Sequence, residues 1–238
     1  MRRTWIDDGA VEVGLDEAGR GSLWGRLYVG AVVMSPEDEA YFDNGATLKL
    51  IRDSKKLTPR RRAVLYDWIR ENAIETAIAW AEPEEIDEYN ILRADMRAMR
   101  RALDSMSVPF QRILVDGDVW EPYRRAGCED STPVESITIV EGDAVSLPIA
   151  AASILAKEAH DKWVRATVAE HPELQDRYGL GTNMGYGTAA HMAGLRTWGA
   201  DTLHRRSFAP VAAVLPPAAG PAIKKKPLFS KSGVSSGV

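Results

Sequence analysis

The stretch Val11-Glu12-Val13-Gly14-Leu15-Asp16-Glu17-Ala18-Gly19-Arg20-Gly21 is a short apolar run that ends in two adjacent carboxylates and a glycine-bracketed arginine. In a regular strand neighbouring side chains point to opposite faces, so Asp16 and Glu17 can share a site only where the strand ends and the backbone turns. Gly19 and Gly21 supply that turn. They also leave backbone N–H groups uncovered, which suits close approach to a phosphate or a ribose hydroxyl. Taken alone, the fragment is equally compatible with an ordinary strand exit whose acids are solvated, so the rest of the chain must decide.

The chain has 238 residues, 45% hydrophobic and 27% charged, enough for one large domain with a sizeable core. No apolar run approaches the roughly 18 to 20 residues of a membrane helix, and Met1 to Asp8 lacks the apolar core of a signal peptide. A cytoplasmic location without membrane association is the expectation. The single cysteine, Cys128, forbids an internal disulfide and fits a reducing compartment. Net charge is −4, but Val211 to Val238 carries four lysines and no acid; removing these four from 30 basic residues leaves 26 against 34 acidic, or −8. A global basic field is therefore absent. Nucleic acid, if bound, must be held by a local patch or by cations on the protein's own carboxylates.

Outward from the opening stretch, residues from Leu27 to Met34 are apolar on both alternating faces, as in a strand covered on both sides, and pair with Val11 to Leu15 as an antiparallel hairpin. Thr58 caps a helix with Pro59 at its first position and Val64, Leu65, Trp68 and Ile69 on one face. Residues 74 to 81 form another strand. A helix from about Tyr89 to Ser105 carries the stripe Leu92, Met96, Met99, Leu103 and Met106, which is core. Arg97, Arg100 and Arg101 lie off it, either as a solvated face or as a contact to a nucleic-acid backbone.

Arg112 to Gly117 repeats the opening device: apolar residues, the carboxylate Asp116, then a glycine. A strand from Ser136 to Val140 leads into Glu141-Gly142-Asp143, and Pro148 starts a long helix whose small residues Ala152, Ala156 and Ala159 permit close packing on a sheet. Asp16, Asp116 and Asp143 thus each follow a short β-like run. Parallel strands gather such ends on one edge, where open α/β sheets place their sites. Four carboxylates there repel one another unless cations bind between them. Oxygen-only ligands select hard ions such as Mg²⁺ or Mn²⁺, and two such ions about 4 Å apart can activate a water and stabilise the leaving oxygen of a phosphoryl group. Farther on, glycines flank Tyr186, presenting a ring for stacking on a sugar or base, or else a core tyrosine on an irregular loop. Thr188 caps a short helix there, and His191 alone suits a structural role better than proton transfer.

Together these residues resemble ribonuclease HII, the type 2 ribonuclease H. The matching segments are Gly14 to Gly21, Asp53 to Leu57, Val115 to Gly117, Gly142 to Ala144 with Ile149 to Lys157, Gly185 to Thr188 with His191, and His204 to Phe208, in family order. The resemblance implies an α/β, ribonuclease H-like fold: a mixed central sheet flanked by helices, with a helical C-terminal part. It implies metal-dependent hydrolysis of the RNA strand of RNA–DNA hybrids and incision 5′ to ribonucleotides embedded in duplex DNA. By position, Asp16, Glu17, Asp116 and Asp143 hold two Mg²⁺ or Mn²⁺ ions. Gly19, Arg20 and Gly21 read the ribose 2′-hydroxyl, Tyr186 stacks on the following sugar at the RNA-to-DNA junction, and Ser54 and Lys55 hold phosphates. A catalytic domain over residues 1 to 210 of a monomer is expected, followed by a disordered basic tail over 211 to 238, which is either a flexible stretch with weak phosphate affinity or, at Lys226 to Phe229, a faint match to a sliding-clamp-binding peptide.

Three departures stand out against the family pattern. Ser22-Leu23-Trp24-Gly25-Arg26 replaces a small, proline-containing run, which places a bulky ring beside the site. Glu141 and Met184 stand where lysine is common, and the loss of two cations weakens binding to a polyanion. The segment Asp118 to Glu135 is longer than usual. Two other functions are compatible with these residues: a carboxylate-metal nuclease acting on DNA, and an inactive hybrid-binding protein.

Overall fold

The computed structural model describes residues 1–37, 46–51, 57–125, 127 and 132–216. Five strands form one sheet among the described residues: β1 (Glu12–Ala18), β2 (Leu27–Val33), β3 (Glu75–Ala81), β4 (Arg112–Asp116) and β5 (Glu135–Ile139), in the order β3-β2-β1-β4-β5. The first three are antiparallel neighbours, whereas β1, β4 and β5 run parallel. The expected hairpin and mixed sheet are present, and β2 is buried along its whole length.

The helices are α1 (Pro59–Asn72), α2 (Pro83–Tyr89), α3 (Ile91–Asp104), α4 (Gly142–Val145), α5 (Leu147–Glu170), α6 (Glu173–Tyr178), α7 (Leu180–Asn183), α8 (Ala189–Trp198) and α9 (Ala209–Ala212). The Thr58 hydroxyl accepts from Arg61 N–H at the start of α1, and Thr188 does the same for His191 in α8, as their capping positions require. Of the stripe along α3, Met99, Leu103 and Met106 are buried against β1 to β3, Met96 is buried and Leu92 is half-buried. On α1, however, Val64 is 63% exposed. The buried face is Arg62, Leu65, Tyr66 and Ile69, because Arg62 is drawn inward by acids on α5. The helix expected from about Tyr89 to Ser105 is α3, and a short helix that was not expected, α2, precedes it, separated from it by Asn90 at a φ of 68°. No described helix is long and apolar enough to cross a membrane.

Helix α5 lies directly on β1 and β2, on the face opposite α3, and glycines make that approach possible. A β-carbon on Gly14 would sit 2.2 Å from the Pro148 carbonyl carbon, and one on Gly30 would sit 2.4 Å from the Ala152 carbonyl oxygen. Backbone cannot yield as a side-chain tip can, so Gly14→Ala is expected to cost about 3 kcal/mol by overpacking. A lowered urea midpoint checks this. At the other end of the chain, α9 crosses the expected boundary at Pro210, and Val211 is buried with Leu23 and Leu195.

Candidate active site

The parallel register pairs Leu15 with Val115 and Asp116 with Ile139, so β1, β4 and β5 deliver their C-terminal ends to one edge. Strand β1 does not end at Asp16, contrary to the reading from sequence. Its ladder to β4 stops at Leu15, but its ladder to β2 continues through Ala18 opposite Tyr28. Asp16 and Glu17 are therefore held by pairing on one side only, at an open margin of the sheet. Asp16 shares the parity of Gly14 and faces α5, while Glu17 shares that of Leu15 and faces α3. The two carboxylates flank the margin from opposite faces, and Asp16 Oδ1 accepts from the Glu17 N–H at 2.7 Å.

Asp143 reaches this margin through Asp116. The Gly142 N–H donates to Asp116 Oδ1 at 2.7 Å, and a β-carbon at Gly142 would fall 2.7 Å from Ile149 Cδ1. A side chain at position 142 would have to displace the tip of Ile149 on α5. Asp143 is the next residue and is itself buried. Glu141, just before, adopts a left-handed φ of 53° and is exposed.

Charge is poorly compensated here. Burial raises the Asp16 carboxyl well above its ordinary value, and the adjacent Glu17 and Asp116 raise it further. A fifth carboxylate escaped the sequence reading: Asp95 on α3 is 3% exposed, and burial and Glu17 raise it as well. Its position three residues after Leu92 and four before Met99 could have marked it, since that spacing puts it on the buried face. Arg20 Nη1 lies 3.5 Å from Glu17 Oε1 and 3.8 Å from Asp95 Oδ2. Arg20, Leu92, Asp95, Asp116 and Asp118 line a cavity of about 30 Å³. Among the described residues, no three Asp, Glu, His or Cys side chains stand close enough together to hold a metal ion in this side-chain arrangement. The chemistry of the set nevertheless fits a hard divalent cation, because the donors are all carboxylate oxygens and Glu17 and Asp116 repel Asp16.

The Gly19–Gly21 turn is joined to the Tyr186 loop. The Leu23 N–H donates to the Gly185 carbonyl at 2.8 Å, Ser22 and Tyr186 form an antiparallel bridge, and a β-carbon on Gly21 would lie 3.9 Å from Tyr186 Cε1. Gly19 has a φ of 83°, and a β-carbon there would strike the His160 ring at 2.6 Å. Arg205, fully buried, pins the turn from beneath: Nε donates to the Gly25 carbonyl at 2.9 Å and Nη1 to that of Arg20 at 3.1 Å. Burial brings its pKa down to about 9. The Tyr186 ring is half-buried, with Lys157 Nζ 5.2 Å from its centre.

Trp24 does not stand beside the site as expected. It is buried beneath the turn, with its ring centre 5.3 Å from that of Trp163. Arg26 lies over Trp80 and Trp163 and pairs with Glu82 at 2.8 Å. Arg97 and Arg101 pair with Glu85, and Arg100 pairs with Glu121, so all three have partners within the protein. Ser54, Lys55, Cys128 and Lys226 to Phe229 lie outside the described residues.

The mixed sheet, its carboxylate-bearing edge and the helical C-terminal part define a ribonuclease H-like fold. Residues 13–211 match the family model for ribonuclease HII. The chain is 43% identical over 212 residues to ribonuclease HII of a Polaromonas species, covering 89% of this chain and 96% of that one. It is 44% identical to ribonuclease HII of Verminephrobacter eiseniae, covering 89% and 91%. The crystal structure of ribonuclease H2 from Pyrococcus horikoshii superposes with a TM-score of 0.64 at 26% identity, covering 85% of this chain and 96% of that one. The chain belongs to the ribonuclease HII family, and is thus a ribonuclease H acting on the RNA strand of RNA–DNA hybrids.

Proposed function

We propose that the protein incises duplex DNA on the 5′ side of an embedded ribonucleotide, leaving 3′-hydroxyl and 5′-phosphate ends, and cuts RNA–DNA hybrids by the same chemistry. Asp16, Glu17, Asp116 and Asp143 are the residues that would hold two divalent ions, Mg²⁺ or Mn²⁺. Bound there, the ions would supply an activated water and offset charge on the phosphoryl group. The chain's own groups do the rest. The backbone of Gly19 to Gly21 meets the 2′-hydroxyl, the one group that separates RNA from DNA. Arg20, half-exposed beside Glu17, is placed to meet a backbone phosphate. Tyr186 stacks on the sugar that follows, and Ser54 and Lys55 hold phosphates. The observation that carries this reading is the continuity of Asp16 to Ser22: one strand end supplies two carboxylates, turns through the glycines and pairs with Tyr186.

In this reading the protein serves ribonucleotide removal in DNA replication and repair, in the cytoplasm and as a monomer, with a weak sliding-clamp contact through Lys226 to Phe229. The decisive assay uses a DNA duplex carrying one ribonucleotide. Incision at its 5′ side with Mg²⁺ or Mn²⁺, abolished by chelator, is the expected result. No incision with either metal refutes the proposal. Tight binding without turnover would mark an inactive hybrid-binding protein, and equal cutting of all-DNA duplex would mark a DNA nuclease.

A further inference from the structure

Behind the Tyr186 loop lies a row of polar side chains: buried His191, His204 and the indole of Trp24, with half-buried Asp201. His191 Nδ1 is 3.1 Å from the Tyr186 carbonyl oxygen, and its Nε2 is 3.0 Å from His204 Nε2. His204 Nδ1 is 3.0 Å from both the Asp201 N–H and Asp201 Oδ1. The Asp201 carboxylate also accepts from Trp24 Nε1 at 3.1 Å and from the Leu203 N–H at 2.9 Å.

Proton accounting orders this row. A carbonyl only accepts, so His191 carries its hydrogen on Nδ1. Its Nε2 is then a lone pair, and His204 must donate to it from Nε2. His204 Nδ1 is then a lone pair that accepts from the Asp201 N–H, and the carboxylate of the same residue accepts from the Trp24 indole. Asp201 thus ties the indole to the histidine pair that ends at the Tyr186 carbonyl.

The backbone repeats the connection. Segment 22–25 lies between the Tyr186 loop and residues 203–205: the Leu23 N–H donates to the Gly185 carbonyl, the Arg205 N–H to that of Leu23 and the Gly25 N–H to that of Leu203. Met184 and Gly185 enter the loop with φ of 52° and 83°, and the left-handed methionine persists only where its surroundings over-determine it. Apolar residues would fill this space without a polar network, which is costly unless every member is satisfied. What the polar row adds is direction: it fixes where one carbonyl, and hence one ring, stands.

We propose that His191, His204, Asp201 and Trp24 are positioning residues that set the Tyr186 ring against the Gly19–Gly21 turn and thereby sharpen selection of an RNA-to-DNA junction. The proposal rests on the assignment of Tyr186 as the ring that meets the nucleotide after the ribonucleotide. The test compares His191→Ala, His191→Asn and Trp24→Phe on two substrates, a duplex with one ribonucleotide and a uniform RNA–DNA hybrid without a junction.

Loss of an orienting side chain is expected to lower kcat/KM at the junction about 10-fold in His191→Ala, but only about 2-fold on the hybrid. Asparagine places an amide N–H near the position of Nδ1 and should recover most of the loss. Trp24→Phe keeps the ring against Trp163 but removes the N–H, and should lose about 3-fold at the junction. In a Tyr186→Ala background, His191→Ala should add little, because the ring it positions is gone. Equal losses on both substrates, or the same loss with and without Tyr186, overturn the proposal. Nitrogen NMR of the unmutated protein gives a check independent of variant folding: His191 protonated at Nδ1 supports the chain, and protonation at Nε2 alone overturns it. Absence of incision by the unmutated protein would instead refute the function on which the proposal rests.

Discussion

Asp16→Asn is expected to abolish incision, by on the order of 10³-fold or more, while raising the melting temperature of the metal-free protein by about 2–4 °C. The first effect follows from removing a carboxylate at the centre of the proposed ion site. The second follows from electrostatics. Burial, then Glu17 and Asp116, hold the folded Asp16 carboxyl above its ordinary value, so folding favours its protonated form. The stability this confers is complete below the unfolded pKa and is lost as pH rises toward the folded one. Asparagine is neutral throughout and escapes that loss. Thermal melts between about pH 4 and 8 should therefore show the wild type falling relative to the variant as pH rises. Saturating Mg²⁺ should stabilise the wild type more than the variant, since only the former keeps its full ligand set. A variant that melts lower than wild type without metal, or one that stays active, would contradict this account.

Arg62→Ala is expected to destabilise the fold by about 3–5 kcal/mol, the cost of leaving buried charges without their partner. Arg62 is buried between α1 and α5, with Nε 3.1 Å from Glu158 Oε2 and Nη2 2.6 Å from Asp161 Oδ2. Burial would raise the Asp161 carboxyl, but hydrogen bonds from His160 and Lys157 bring it down to about 2. That contribution is present above the unfolded pKa and is lost as pH falls toward 2. The pair also bears on the site, because α5 carries Lys157 beside Tyr186 and His160 beneath Gly19. Chemical denaturation measures the loss, and Glu158→Gln in the Arg62→Ala background should recover part of it by removing one stranded charge. A loss below about 1 kcal/mol, the level of an exposed pair, would show that this bridge does not brace α5.

Those two residues also show where the sequence stops being informative. Local chemistry announced the start of α1 at Thr58 and Pro59, the hairpin of β1 with β2, and the carboxylates near the C-terminal ends of β1 and β4. Each of these is written in neighbours a few positions apart. Arg62, by contrast, finds its partners about a hundred residues away on α5, and nothing near it distinguishes it from the exposed Arg60 and Arg61. Asp95 is an intermediate case: its spacing from Leu92 and Met99 puts it on the buried face, but only the fold brings it to Glu17. Trp24 was visible as a departure but was assigned to the wrong side of the turn, because the row of residues that receives its indole N–H comes from the far end of the chain. Strand β1 outlasted its expected end because a strand can lose one neighbour and keep the other.

In the proposed reaction, cleavage and RNA recognition share the single backbone passage from Asp16 to Gly21. The most direct test is the ratio of incision rates on two duplexes that differ only in the 2′-hydroxyl of one nucleotide, measured with Mg²⁺ for the wild type and for Gly21→Val. The expected result is a large ratio for the wild type that collapses in the variant, whose rate on the ribonucleotide falls while its metal-induced rise in melting temperature persists. A wild-type ratio near one, or a variant that keeps the wild-type ratio, would contradict it.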